Sequence, residues 1–398
     1  MKTDSQGESP MRIPQLLRGG FRPFFLGGAL WALIVLVLWV AVLSVGLELP
    51  SHLDPLAWHR HEMLFGYLGA VIGGFLLTAI PNWTGRPPMA GAPLAGLALL
   101  WLTARLALLF SATLGAPLAI GLDIGFLAVL AVIAAREVIA ARNRNFPIVI
   151  AVSLFAFATA LDHAEALGLA VPAGLGWRLG FAIVLVLITL IGGRIIPAFT
   201  RNWLTSQGKT EHLPPQANRF DIATIAATVI ALLAWAAVPY APYAGALLLI
   251  AGILQAARLA RWAGHRVVRE PLVLILHASY AWLPLGLLLL GGSIFLGQIP
   301  VSAALHALSA GAMASMTLAV MTRATRGHTG RPLAADLSTR AIYILVTLGA
   351  ALRVAAPLLP IDYMRAIEIA GAAWGGAFVL FVLAYGPMLI GPRPDGKP

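Results

Sequence analysis

No cysteine occurs in the 398 residues. That absence removes disulfides, thiolate metal sites, iron–sulfur clusters and covalent haem attachment through a CxxCH motif. Charge is nearly as scarce: Asp, Glu, Lys and Arg make up 11% of the chain, against 60% hydrophobic residues. A soluble domain carries about 25% charged residues, so the composition excludes one and points to an all-α polytopic membrane protein embedded in a lipid bilayer. Phosphate-binding glycine loops, soluble catalytic motifs and nucleic-acid modules are missing as well. The formal net charge of +11 is no sign of nucleic acid as a partner. The arginines fall in short loops between apolar runs, which is the pattern of a membrane protein.

Apolar runs long enough to cross a ~30 Å hydrocarbon core number about twelve: 24–46, 57–80, 91–112, 116–137, 146–167, 177–200, 219–238, 241–262, 271–291, 300–322, 338–358 and 364–389. Loops with Arg12, Arg18 and Arg22, then Arg86, Arg142, Arg201, Arg261, Arg323, Arg393 and Lys397, alternate with loops almost free of positive charge. Both termini are therefore expected in the cytoplasm. The domain reading is a cytoplasmic segment 1–23, one helical membrane domain 24–389 and a cytoplasmic tail 390–398. Ile72-Gly73-Gly74 leading to Pro81 echoes Ile191-Gly192-Gly193 leading to Pro197, with Met321-Thr322-Arg323 as a looser third copy. The interval is about four helix-plus-loop units of ~30 residues.

Ionisable side chains inside a span are costly and mark function. His59 and His61 stand where the second span begins, in Trp58-His59-Arg60-His61-Glu62-Met63. His59, Glu62, Met63, Gly66, Ala70 and Gly73 share one helical face, a glycine groove open to a flat cofactor or to a neighbouring backbone. His163, beside Asp162, ends the fifth span, and His306 lies ~9 Å below the outer boundary of the tenth. Arg105, Arg178 and Arg353 occupy the same outer third. His277 enters the ninth span from the other side, ~12 Å deeper than His306; it marks either a second site or a core hydrogen bond. His52, His212, His265 and His328 read as solvated loop residues, the methionines of the tenth span as packing, and the tryptophans near span ends as interfacial anchors.

Imidazoles at one depth, with no thiolate available, suit a b-type haem or a copper ion. The expectation is an outer-leaflet haem held by His59 or His61 together with His306. Arg105, Arg178 and Arg353 would pair with its anionic propionates. The remaining histidine of the pair and His163 would hold copper.

Five stretches resemble one known family, and together they span nearly the whole chain: Gly20-Phe21-Arg22-Pro23-Phe24-Phe25, Trp58 through Gly66, Gly192 through Asn202, Leu276 through Trp282, and His306 through Arg331. The chain is similar in these to the NnrS family of bacterial inner-membrane proteins. The resemblance implies haem and copper as cofactors, nitric oxide or another small diatomic as ligand, and a part in denitrification and the relief of nitrosative stress; it names no electron donor. A looser similarity joins the chain to haem–copper oxidases and nitric oxide reductases, whose twelve-helix subunit takes haem ligands from helices 2 and 10. This chain departs from them in lacking a histidine cluster on helices 6 and 7.

Two other readings stand beside the redox or NO-binding one. A secondary transporter of a metal or small anion would use Gly192-Gly193-Arg194 and Pro197 as its gate. A membrane sensor or assembly factor would hold metal only for structure.

Overall fold

Each apolar run folds as a helix because no water inside hydrocarbon can satisfy backbone N–H and C=O groups. The computed structural model describes residues 13–396. Arg12 and Lys397 lie outside them, as do the ends of the two terminal segments. Twelve helices are long and apolar enough to cross a membrane among the described residues. They are α1 (Phe21–Val45), α2 (Pro55–Thr84), α3 (Ala92–Leu109), α4 (Ala116–Ala140), α5 (Phe146–Ala166), α6 (Leu175–Ser206), α7 (Arg219–Ala237), α8 (Pro242–Arg266), α9 (Pro271–Phe295), α10 (Val301–His328), α11 (Leu337–Leu358) and α12 (Tyr363–Ile390).

Start signals are written into the loops. Asp54 caps α2 by accepting hydrogen bonds from the Leu56 and Ala57 amides at 3.1 and 2.9 Å, with Pro55 as first helical residue. Asn218 and Asp221 form a reciprocal capping box on α7. The expected ends differ most at α6 and α10, which run on to Ser206 and His328 rather than stopping at 200 and 322. Pro197 lies inside α6 and Pro81 inside α2. A proline removes one donor and strains one turn, which a helix packed on its neighbours tolerates.

Three helices form the centre. The apolar windows of α2, α6 and α10 are 72%, 67% and 67% buried, against 28% for α1. They touch one another: Tyr67 of α2 hydrogen-bonds Thr317 of α10 at 2.5 Å, Gly180 of α6 lies against Phe65 of α2, and α6 packs on α10. The remaining helices surround them in chain order, and α12 returns to pack on α1. Arg22 of α1 seals that closure by donating to the Leu389 and Gly391 carbonyls at 2.7 and 2.9 Å. The central helices recur every fourth helix, which gives the Gly-Gly…Pro echo an architectural meaning. Each copy lies toward the arginine-rich end of a central helix.

Candidate functional site

Two histidines two residues apart on an α-helix point about 200° apart, so the start of α2 serves two separate places. Below His61 the helix widens into a π-helical turn, Glu62–Tyr67. The same device follows His306 on α10, where the π turn is Ala307–Met313. Such turns insert one residue and cluster at functional sites.

His59 faces α1 and α10. Its ring stacks on Trp39 with centroids 4.6 Å apart and planes 17° apart. His306 and Arg353 are the charged or titratable groups within electrostatic reach of it. His306 donates from Nδ1 to the Ser302 carbonyl at 2.7 Å if that nitrogen carries the proton, which leaves the Nε2 lone pair for a ligand bond. Two buried polar atoms here have no protein partner, His59 Nδ1 and Arg353 Nη1. Both imidazoles are partly exposed. This donor set fits a bis-histidine metal group with an anionic edge: two open imidazoles, one guanidinium with a free N–H, and no carboxylate among them.

His61 faces the other way, into α4 and α5. Its Nδ1 meets Asp162 Oδ2 and its Nε2 meets Asp123 Oδ2, each at 2.8 Å. His163 Nε2 reaches the same Asp123 oxygen at 2.7 Å. Arg105 of α3 pairs with Asp123 and, at 2.8 Å, with Glu62, which also accepts from Trp31 Nε1 at 2.6 Å. Arg60 stands 3.8 Å from Asp162. Glu62, Asp123, His61 and Arg105 are fully buried.

Three carboxylates thus face two guanidinium groups. A neutral imidazole has one N–H, so it cannot donate to a carboxylate from both nitrogens. The cluster is short of one proton or one cation. His61, Asp123 and His163 each offer a ligand atom, all within 4.8 Å of one another, and an N₂O donor set of this kind suits copper(II) or zinc.

The glycine face is closed, not a groove. A methyl group on Gly66 would collide with the Glu62 carboxylate and the Arg105 guanidinium, so glycine is what admits the buried ion pair. Gly69 and Gly73 pack on Phe126, Leu127 and Leu130 of α4. Of the two alternatives for this face, the neighbouring helix fills it.

The histidines and arginines expected at one level therefore divide. His59, His306 and Arg353 form one group; His61, His163 and Arg105 form another, with Arg105 spent on Glu62 and Asp123. Arg178 joins neither: it donates to the Ala236 and Ala173 carbonyls at 2.9 and 2.7 Å. His277 bonds Thr200 at 2.8 Å near the opposite end of the bundle.

His52 departs from the solvated reading. It is half-buried, hydrogen-bonds Ser111 at 2.8 Å and lies 6.4 Å from the His163 ring. Burial, with His163 and His61 close by, pushes its imidazole below the ordinary value. Several tryptophans are core residues rather than interfacial anchors: Trp58 is fully buried, and Trp31 and Trp101 hydrogen-bond Glu62 and the Gly66 carbonyl.

The sequence reading missed Asp123, Trp31 and Trp39. Asp123 had a signal, a lone carboxylate in the apolar run Gly121-Leu122-Asp123-Ile124. The two tryptophans had none, because their partners arrive from another helix.

A second buried network occupies α6 to α9. Arg258 donates to Asp221 at 2.9 Å, to the Thr189 carbonyl at 3.0 Å and to Tyr280 at 3.1 Å. Tyr280 donates to Gln255 at 2.7 Å, and Gln255 to Thr228 at 2.8 Å. Gly192 and Gly193, in the segment read as a transporter gate, pack on Tyr280 and Arg258.

Comparison with curated proteins finds no match. The model of the NnrS protein family, by contrast, matches residues 15–393, from the short helical turn before α1 to the tail after α12. With its twelve-helix bundle and nearly complete coverage, the chain belongs to the NnrS protein family.

Proposed function

We propose that this is a haem- and copper-containing protein of the bacterial inner membrane that acts in the nitric oxide response. In this reading it binds NO, or does redox chemistry with it, near the outer face. The carrying observation is that His59 and His306, on two helices that each carry a π-helical turn, stand within electrostatic reach of each other beside an arginine with an unpaired N–H.

His59 and His306 would hold a b-type haem. The Ser302 carbonyl fixes the His306 tautomer and Trp39 holds the His59 ring. Arg353 would neutralise a propionate. His61, Asp123 and His163 would hold copper, which supplies the positive charge their cluster lacks. When bound, these groups supply one-electron chemistry and a coordination site for a diatomic ligand.

The test is an absorption spectrum and a metal analysis of protein purified from cells grown with iron and copper. A Soret band that shifts when NO is added to the reduced protein is expected. His59→Ala and His306→Ala should abolish the band, whereas His163→Ala should lose copper and keep it. Wild-type protein with neither a Soret band nor copper, yet supporting solute flux in liposomes, would replace this reading with the transporter one.

A further inference from the structure

The three central helices do not fill the space between them. At their middle levels, bordered by α5, they leave a partly open apolar recess of about 90 Å³. Val71 of α2, Val152 of α5, Val184 and Ile188 of α6, and Met316 and Thr317 of α10 are among its walls. The only hydroxyl among the lining residues belongs to Thr317, and it is engaged by the Ala314 carbonyl at 2.8 Å and by Tyr67 at 2.5 Å. A buried water needs two to four polar partners, and these walls offer none free.

We propose that this cavity is a binding site for a small nonpolar gas molecule. Two observations select that class. The lining is hydrocarbon throughout, so an ion or polar solute would lose its hydration without replacement. The volume is far below the ~300 Å³ at which pockets for drug-sized ligands begin and nearer in scale to the roughly 150 Å³ of engineered dry cavities that take up xenon or benzene. Gases of this kind dissolve in the bilayer that surrounds the bundle. Leu68, on the upper wall, comes seven residues after His61, ~10 Å along the helix. The Tyr67–Thr317 hydrogen bond borders the cavity between α2 and α10. A molecule held between Val71 and Met316, each ten residues beyond His61 or His306, therefore rests about three turns, ~15 Å, beneath the histidines. The site does not depend on the metal reading above.

Xenon is the probe. Crystals of the wild-type protein pressurised with xenon should show one strong peak between Val152, Val184 and Met316. Val184→Phe, which fills the space, should remove that peak while leaving the thermal unfolding profile of the detergent-solubilised protein cooperative. Val152→Met serves the same purpose should the larger ring disturb folding. Xenon-129 chemical-shift titration in nanodiscs gives a second readout, with saturable binding in the wild type and its loss in both variants. Ordered water or an acyl chain in the cavity, or a xenon peak unaffected by both substitutions, would overturn the proposal. Haem and copper content is measured on the same samples, so a failure of the cavity and a failure of the metal reading remain distinguishable.

Discussion

Two buried networks sit in the same bundle, one beneath the arginine-poor end and one in α6 to α9. Both use arginine against carboxylate. Around Arg258 the charged and amide side chains all have partners, and the buried atoms left open nearby in α7 and α9 are two neutral hydroxyls, Thr224 and Ser279. Around Asp123, Glu62 Oε1, Arg105 Nε, Arg60 Nε, His163 Nδ1 and His52 Nε2 are buried without one. A network whose charged and amide groups are partnered holds helices together; one that leaves titratable donors and acceptors open inside a membrane has room for something the chain does not supply.

That contrast breaks most sharply at Asp123. Replacing it with Ala leaves Arg105 without one of its two anions and both His61 and His163 without their shared acceptor. Breaking a buried charge network from one side costs roughly 3–5 kcal/mol, so Asp123→Ala should lower the unfolding midpoint more than any other single change here. Added copper or zinc should raise the wild-type midpoint and leave that variant unmoved.

The inner network should respond in the opposite sense to paired replacement. Arg258→Met alone leaves Asp221 with only Arg261, at 3.4 Å, and the Asn218 amide, at 3.0 Å, whereas Arg258→Met with Asp221→Asn removes both charges of the closer pair and should recover most of the loss, because a hydrophobic substitute for a buried pair is often neutral. A double-mutant cycle in denaturant measures the coupling. Metal content should stay at the wild-type level in all three variants.

His277→Ala is a smaller test of the same division. It deletes one hydrogen bond to Thr200, worth about 1 kcal/mol in a membrane protein, and should leave any Soret band and copper unchanged. Loss of either would move His277 into the site.

The smallest effect is expected at the arginine-rich surface, at the start of α11. Burial pushes the Asp336 carboxyl up, but hydrogen bonds from Thr339, Ser338 and Arg326 outweigh it and hold the group below its ordinary value of 3.8. A lowered carboxylate contributes stability above that value and loses it as pH falls below. The acid-side drop in unfolding midpoint should therefore shrink in Asp336→Asn.

The bundle was legible in the sequence because hydrocarbon leaves the backbone few options: span count, order and the four-helix echo all follow from apolar length and arginine placement. The site was legible by depth alone. Depth put His59, His61, His163, His306 and three arginines in one layer, but a layer is a plane and gives no azimuth. Azimuth separated His59 from His61, sent Arg178 to the end of α7 and assigned Arg105 to Asp123. Helical periodicity also loses its hold across Glu62–Tyr67 and Ala307–Met313, since each π turn rotates the residues above it relative to those below.

The contact between Arg22 and the last carbonyls of α12 carries a consequence for how the protein is made. Until α12 follows, the end of α1 that carries Arg22 lacks the carbonyls it binds, although α2 already packs on α1. The first helix is suited to that wait, having the highest mean hydropathy of the twelve, 2.6, and the least buried window. Such a segment is stable against lipid by itself. The docking of α12 on α1 is then a late, clasp-like step of assembly.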